Sequence, residues 1–564
     1  MKFPLVLLFF TTAIFAQTDY PKEYFKSPVD IPLLLSGNFG ELRKNHFHSG
    51  LDIKTQQREG LNVFAVADGY VSRIKISTFG YGKAIYITHP NGFTSVYGHL
   101  QKAAGNIEDY IKSKHYSLES FEMDLKLNPD ELPVKQCDLI GFSGNSGGSG
   151  GPHLHFEIRD SNTEEIINPL LFGYNSLVFD HKRPVLNSLK VYPLDDNSVV
   201  NESKVPFLVN LFKQSEGVYI AENIKASGKI GFSINAIDFF DFTSDTNGLY
   251  KVQSFLNGKP SFGYQFENFS FDQSRYINAL LDYPVFMKTN QRFQKLFMKN
   301  PYPLNIIKTD EKQGIIEVLP NLNSNYTIEL SDFHGNKVLV NIPISYSNLP
   351  AKASKAPLKS NYFLKASIDN IYKKDKVSVS VPANAFYEDF YLNFDVKADK
   401  IYFHDDSVAL HKDISVSIED TLTTNENKDK IFIASVKNGK LSYNSTKLKE
   451  NQWVIYTKNL GEFTLAKDLV SPTIKPSNFQ EGQWLSNQLG LQLEINDNLS
   501  GIKTYNGYLN GKWILFEYDY KTKKIIHLFD NAFLVDGKNE LKVEVTDNVK
   551  NSAIFETYFY YKKK

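Results

Sequence analysis

The chain has 564 residues, with 63 basic and 63 acidic side chains that cancel to a formal net charge of zero. That balance removes the electrostatic reason to expect nucleic acid as the main partner, and the single cysteine, Cys137, excludes an intrachain disulfide or a four-cysteine zinc site. At about 150 residues per domain the length predicts three or four domains, and an aromatic share of 14%, mostly Phe and Tyr, favours strands over helices.

Met1-Lys2 is followed by the apolar run FPLVLLFFTTAIF at 3–15 and then by Ala16-Gln17. A short basic head, an apolar stretch under about 20 residues and a small residue before a polar one predict a secretory signal at 1–16. No later run reaches 18 uninterrupted apolar residues. The expectation is an exported protein, periplasmic or extracellular, with no transmembrane segment after signal cleavage.

Seven of the twelve histidines fall in the first 155 residues: His46, His48, His89, His99, His115, His153 and His155. The chemistry is therefore expected before about residue 180. Between Leu61 and Leu100 the pattern is short strands and turns, with AIYITHPNGFTSVYGHL reading as a hairpin around Asn91-Gly92. The polar, helix-compatible stretch at 102–133 interrupts that rhythm and reads as an insertion. Downstream, GFSINAIDFFDFTSDTNGLYKVQSFLNGKP (231–260) parallels LQLEINDNLSGIKTYNGYLNGKW (491–513), and TIELSDFHGNKV (327–338) parallels KVEVTDNVKNSA (542–553). Two such copies predict two sandwiches of immunoglobulin-like type. Strand-like KVSVSVPANAF and ISVSIED lie between them. The expected organisation is a first domain over 17–180 containing the insertion, then β-domains at 181–350, 351–468 and 469–564.

Three segments carry chemistry: NHFHSGLDI (45–53), SVYGHL (95–100) and GGSGGPHLHFEI (147–158). In a strand, His153 and His155 project from one face while Leu154 and Phe156 point to the core. The two imidazoles can both be ligands, or one a ligand and one a catalyst. His48 and Asp52 are four residues apart, too far in an extended chain for one ion, so a bend at Gly50 is expected to turn both inward. His48, Asp52 and His155 then offer two nitrogens and an oxygen, a set zinc accepts with a fourth position open for water. His99 and His153 are available for proton transfer and oxyanion stabilisation. His46 is a weaker competitor for the metal. His89 reads as structural or exposed, and Cys137 as a small buried hydrophobe. The glycines at 141–151 lack a phosphate-loop ending and lead into a strand, so they read as flexible backbone beside the metal.

HSGLDI, VYGHL and GFSGNSGGSGGPHLHFEIR together resemble the lysostaphin-type (LytM-like) zinc peptidases, which cleave peptide cross-links of peptidoglycan. The resemblance covers roughly 36–172. It implies a compact antiparallel β-sheet domain of duplicated-hybrid-motif type, so the fold class expected is mainly β, with about three β-sandwich domains following. It implies Zn2+ held by His48, Asp52 and His155, with His99 and His153 as the catalytic histidines. The implied partner is the peptidoglycan cross-link, with the β-domains contacting envelope components. Cys137 departs from the glycine usual in that turn, where positive φ is tolerated poorly by cysteine. The insertion at 102–133 is longer than usual and is expected to form a wall or lid of the cleft. The competing reading is a non-catalytic LytM-like module that regulates another hydrolase. Members of that kind typically lose ligand residues, whereas all five positions are present here.

Overall fold

Alternation of apolar and polar residues makes strands through nearly the whole chain, and the molecule is mainly β. The computed structural model describes residues 19–354, 360–398, 400–421 and 426–563; the expected signal at 1–16 lies outside them. Among the described residues no helix is long and apolar enough to cross a membrane.

The histidine-bearing unit is built on one antiparallel sheet. Its main strands are β1 (Leu35–Gly37), β2 (Leu51–Lys54), β3 (Gly69–Ile76), β4 (Lys83–Thr88), β5 (Phe93–Gly98), β6 (Met123–Lys126) and β7 (His153–Asp160), in the spatial order β1-β2-β7-β5-β4-β3-β6. The expected hairpin forms, with β4 and β5 joined at Gly92 (φ +85°). In β7 the period of two is complete. Leu154, Phe156 and Ile158 are fully buried on the core face, and His153, His155, Glu157 and Arg159 share the other.

The insertion folds as helix α1 (Gly105–Leu118) and then β6, which pairs with β3 at the sheet edge away from β2 and β7. It is therefore not a wall beside the histidines, contrary to expectation. Instead α1 packs on the last sandwich: Tyr116 stacks on Phe533 at 4.9 Å between ring centroids, and Lys112 Nζ lies 2.6 Å from Asp530. Cys137 also departs from expectation. It is exposed, and its turn keeps the left-handed backbone (φ +70°) despite the side chain.

Beyond residue 180 the sheets are sandwiches. The strand Ile224–Ile237 joins Val185–Pro193 antiparallel and Lys337–Tyr346 parallel. Two five-stranded sheets occupy 370–467, and two four-stranded sheets occupy 473–561. The stretches 17–180 and 181–350 share one continuous hydrophobic core running from Phe25 to Ile344. Phe39 and Phe47 pack on Phe266 and Phe269, and strand Ile166–Ile167 pairs with Asn268–Phe269. The loop that carries His48 is thus buttressed from the following unit. Separate cores lie within 364–463 and 479–561.

Candidate metal centre

Register brings the distant segments together. On β7, His155 stands directly across from Asp52 on β2 and from Gly98 on β5, the residue before His99. Gly50 lets β2 approach that closely, since a Cβ there would lie 2.3 Å from the carbonyl oxygen of Phe156. The expected bend before β2 turns His48 inward. His48 Nε2, Asp52 Oδ1 and His155 Nδ1 then meet, with separations of 3.0 Å (His48–Asp52), 2.9 Å (His155–Asp52) and 3.1 Å (His48–His155).

The outward atoms of the three side chains are each engaged elsewhere. His48 Nδ1 donates to the carbonyl of Asn38 at 2.8 Å, and His155 Nε2 donates to Glu157 at 2.8 Å. A carbonyl can only accept, so these bonds set the tautomers and leave a lone pair on each inward nitrogen. Asp52 Oδ2 accepts from Arg43 at 2.6 Å, which leaves Oδ1 for the cluster. In these tautomers three electron pairs point at one another in a buried space, an arrangement that a metal ion between them, or a proton in its absence, relieves. Bonds of 2.0–2.1 Å from a tetrahedral zinc put neighbouring ligand atoms about 3.3 Å apart, a few tenths of an ångström from these separations. The residues fit such an ion, with donors zinc accepts and outer partners that fix their orientation.

The electrostatics agree. Burial works against a charged His155, yet hydrogen bonds and charge from Asp52 and Glu157 pull its pKa up to about 9. Burial likewise opposes ionisation of Asp52, but the surrounding histidines hold it well below the usual carboxylate range. The site is built to stabilise positive charge.

His99 and His153 stand at the rim, their rings 4.8 Å apart. His99 donates from Nδ1 to the carbonyl of Ser146 at 2.8 Å, so Nε2 is its free basic atom. Burial, then repulsion from His155 and His153, pushes its pKa down to about 3, and the ring is neutral at physiological pH. His153 donates from Nδ1 to the carbonyl of Gly151 at 2.9 Å, and its Nε2 lies 3.3 Å from Asp52. All five residues singled out from the sequence thus lie in one cluster. His46 is exposed and bonded to the carbonyl of Lys44. His89 is buried between the carbonyl of Asp68 and Ser95, a structural role.

The glycine run behaves differently from a freely flexible loop. Gly147 (φ +69°) nests against Gly80 and Gly82, and Gly148 donates to the carbonyl of Gly80 at 2.7 Å. The last sandwich grips this rim, with Lys521 Nζ 2.7 Å from the carbonyl of Asn145 and Tyr520 against Phe79.

Sequence reasoning missed Glu157. This fully buried carboxylate accepts from His155, Ser49 and Tyr81, and pairs with Arg159 at 2.6 Å. Arg159 and His155 hold it well below the usual range despite burial. The signal was present in HLHFEIR, where four polar residues alternate on one face of a strand whose other face is wholly apolar.

Comparisons with known proteins agree with this geometry. Residues 46–116 match the model for peptidase family M23, and residues 361–468 match a Zu5-like domain. The chain is 34% identical over 115 residues to the DD-carboxypeptidase/endopeptidase Mpg of Neisseria meningitidis serogroup B, covering 20% of each chain. It is 28% identical over 142 residues to the peptidoglycan DD-endopeptidase ShyC of Vibrio cholerae, covering 24% of this chain and 27% of that one. The catalytic domain of lysostaphin from Staphylococcus simulans aligns at 23% identity over 24% of this chain and 87% of its own, with a TM-score of 0.18. The chain spans only about a fifth to a quarter of the length of these two curated relatives. The histidine-bearing part of the chain is thus similar to the LytM-like, lysostaphin-type M23 metallopeptidases.

Proposed function

We propose that this protein is an exported zinc endopeptidase that hydrolyses peptide bonds in peptidoglycan cross-links. The carrying observation is the convergence of His48 Nε2, Asp52 Oδ1 and His155 Nδ1 with every outward atom already engaged. The names of the two endopeptidase relatives support the substrate class. When bound by these three residues, a zinc ion supplies Lewis acidity that polarises a peptide carbonyl and makes water nucleophilic near neutral pH.

The chain's own groups do the rest. His99, neutral and free at Nε2, accepts a proton from the attacking water and returns it to the departing amine. His153, anchored at Nδ1, stabilises charge developing on the carbonyl oxygen when its Nε2, which faces Asp52, also carries a proton to donate. Glu157 and Asn38 hold the two ligand imidazoles in the tautomer and orientation that ligation needs. The stretches 181–350, 351–468 and 469–564 are proposed as β-domains, the first of them sharing its core with the catalytic unit, that position that unit on the envelope, and residues 1–16 as the export signal. Retention of all five active-centre positions favours the enzyme over a non-catalytic regulator of another hydrolase.

The test incubates purified protein with defined cross-linked muropeptides, with zinc or with chelator, and identifies products by mass spectrometry. Cleavage is expected only with metal and is expected to vanish in His155→Ala. His99→Ala is expected to keep its zinc and lose about 10²- to 10⁴-fold in rate. A zinc-loaded parent protein that leaves every muropeptide intact refutes the proposal.

A further inference from the structure

The acidic turns shared by the two sequence-related sandwiches take no part in the histidine centre. Their likeness extends to a third segment: Asp180 stands four residues before Pro184, as Asp468 stands four before Pro472. Each set folds into a triad, Asp180 with Asp238 and Asp332, and Asp468 with Asp497 and Asp547, with one potential ligand atom from each within 4.8 Å of the others. The frames match bond for bond. Asn336 Nδ2 donates to Asp332 at 2.7 Å and to the backbone carbonyl of Asp180 at 3.2 Å. Asn551 Nδ2 donates to Asp547 at 2.7 Å and to the carbonyl of Asp468 at 3.1 Å.

The two copies differ in how their carboxylates are satisfied. In the later triad the Ser500 amide donates to Asp468 Oδ2 at 3.0 Å, and the amides of Leu499 and Gly501 donate to Asp497 Oδ2. In the earlier one the Lys182 amide donates to Asp180 Oδ1 and the Asn336 amide to Asp332 Oδ1, but Asp180 Oδ2 and Asp238 Oδ1 are buried without a hydrogen-bond partner, against the single such oxygen, Asp497 Oδ1, of the later copy. Asn247 adds a neutral oxygen. It exchanges backbone bonds with Asp238 at 2.9 and 2.8 Å, so both side chains leave the ladder on the same side. Its Nδ2 donates to the carbonyl of Asp245, and its Oδ1 is buried without a partner in a residue only 2% exposed. Lys182, two residues from Asp180, sends its ammonium to the carbonyls of Phe240 and Thr243, and the nearest cationic side chain is His334, whose Nδ1 stands 3.9 Å from Asp180 Oδ2, beyond hydrogen-bond reach.

Buried acids left in this state are costly when ionised unless a cation joins them, and otherwise take up a proton. Burial raises the pKa of all three, and neighbouring carboxylates add to the rise at Asp180, to about 7, and at Asp238, to about 8. Carboxylate and amide oxygens are the donors a hard cation such as calcium takes, whereas zinc prefers nitrogen and sulfur.

We propose that Asp180, Asp238, Asp332 and Asn247 bind one calcium ion where the M23 unit passes into the first sandwich. The ion ties the segment leaving the M23 unit to two turns of the sandwich. It also reaches the catalytic unit through the backbone. Gly248, next to Asn247, exchanges bonds of 2.8 and 2.7 Å with the Asn38 side chain, and the Asn38 carbonyl orients His48.

The test uses the full chain carrying His155→Ala, which silences the histidine centre, after removal of all metal. Calorimetric titration with calcium chloride is expected to show one ion per chain, and calcium is expected to raise the melting temperature by several degrees. Asp238→Asn is isosteric and relieves repulsion, so the chain is expected to fold, as circular dichroism will check. That variant is expected to lose both the binding heat and the calcium-dependent shift. Asp497→Asn, in the copy whose Asp468 and Asp497 accept from the Ser500, Leu499 and Gly501 amides, is expected to keep both. Absence of binding by the folded parent up to about 10 mM calcium, above the weak end of protein calcium sites, overturns the proposal. So does undiminished binding by Asp238→Asn, or loss of the ion in Asp497→Asn.

Discussion

Replacing Glu157 by Gln tests whether this buried carboxylate tunes the metal centre or only neutralises Arg159. The rise of His155 from its ordinary 6.5 to about 9 corresponds to a preference for positive charge of about 3 kcal/mol at that ring. Asp52 and Glu157 both contribute to it, so removing the Glu157 charge while keeping an amide acceptor is expected to weaken zinc binding by about tenfold. That lies within the range for lost outer partners of metal ligands. The substitution also leaves the buried Arg159 guanidinium without its partner, worth about 3–5 kcal/mol of stability. The two effects are separable. Zinc affinity is read by competition with a calibrated chelator at pH 7, and stability by thermal melting of the metal-free protein. The double variant with Arg159→Met is expected to recover stability and not zinc affinity. Zinc affinity within twofold of the parent, with melting lowered, refutes the role assigned to Glu157.

Gly50→Ala is expected to cost at least about 1–3 kcal/mol in urea unfolding, because the added methyl meets the Phe156 carbonyl and no side chain can give way. Zinc affinity is expected to fall with it as β2 moves off β7. Cys137→Gly is expected to raise stability by about 0.5–1 kcal/mol in guanidinium titration: the left-handed backbone costs a side chain about 1–2 kcal/mol, less the added chain entropy of glycine. For pH, the folded pKa values of Asp180 and Asp238 lie above the unfolded 3.8, so the folded chain binds more protons and their contribution falls as pH rises from about 4 to about 8. Melting of the calcium-free protein across pH 5 to 8 is expected to show that decline from this pair, and saturating calcium is expected to reduce or reverse it. A calcium-free profile unchanged by Asp180→Asn and Asp238→Asn together refutes it.

Much of the centre was legible in the linear chain because its residues obey short-range rules. His153 and His155 share a face since strands repeat every two residues. Gly50 marks the turn between His48 and Asp52. Glu157 was overlooked because its meaning depends on a partner atom, the outward nitrogen of His155, that spacing alone does not reveal. The insertion was misplaced because its position depends on which sheet edge accepts β6, and that edge is three strands from β5. Cys137 was read as buried from residue type, yet its turn is exposed and set by neighbouring backbone bonds, with Cys137 N donating to the carbonyl of Ala65.

The sequence by itself determined the strand-rich character, the five metal-centre candidates and the repeated turn pattern of the two sandwiches, because periodicity, ligand chemistry and repeated turns are local properties. Only the tertiary structure decided that the first two units share a core, that the last sandwich folds back onto α1 and the 143–151 rim, and that one acidic triad is left with two buried unpartnered carboxylate oxygens and its twin with one. Those outcomes depend on register and packing between segments up to hundreds of residues apart, where a change of one position redirects every side chain.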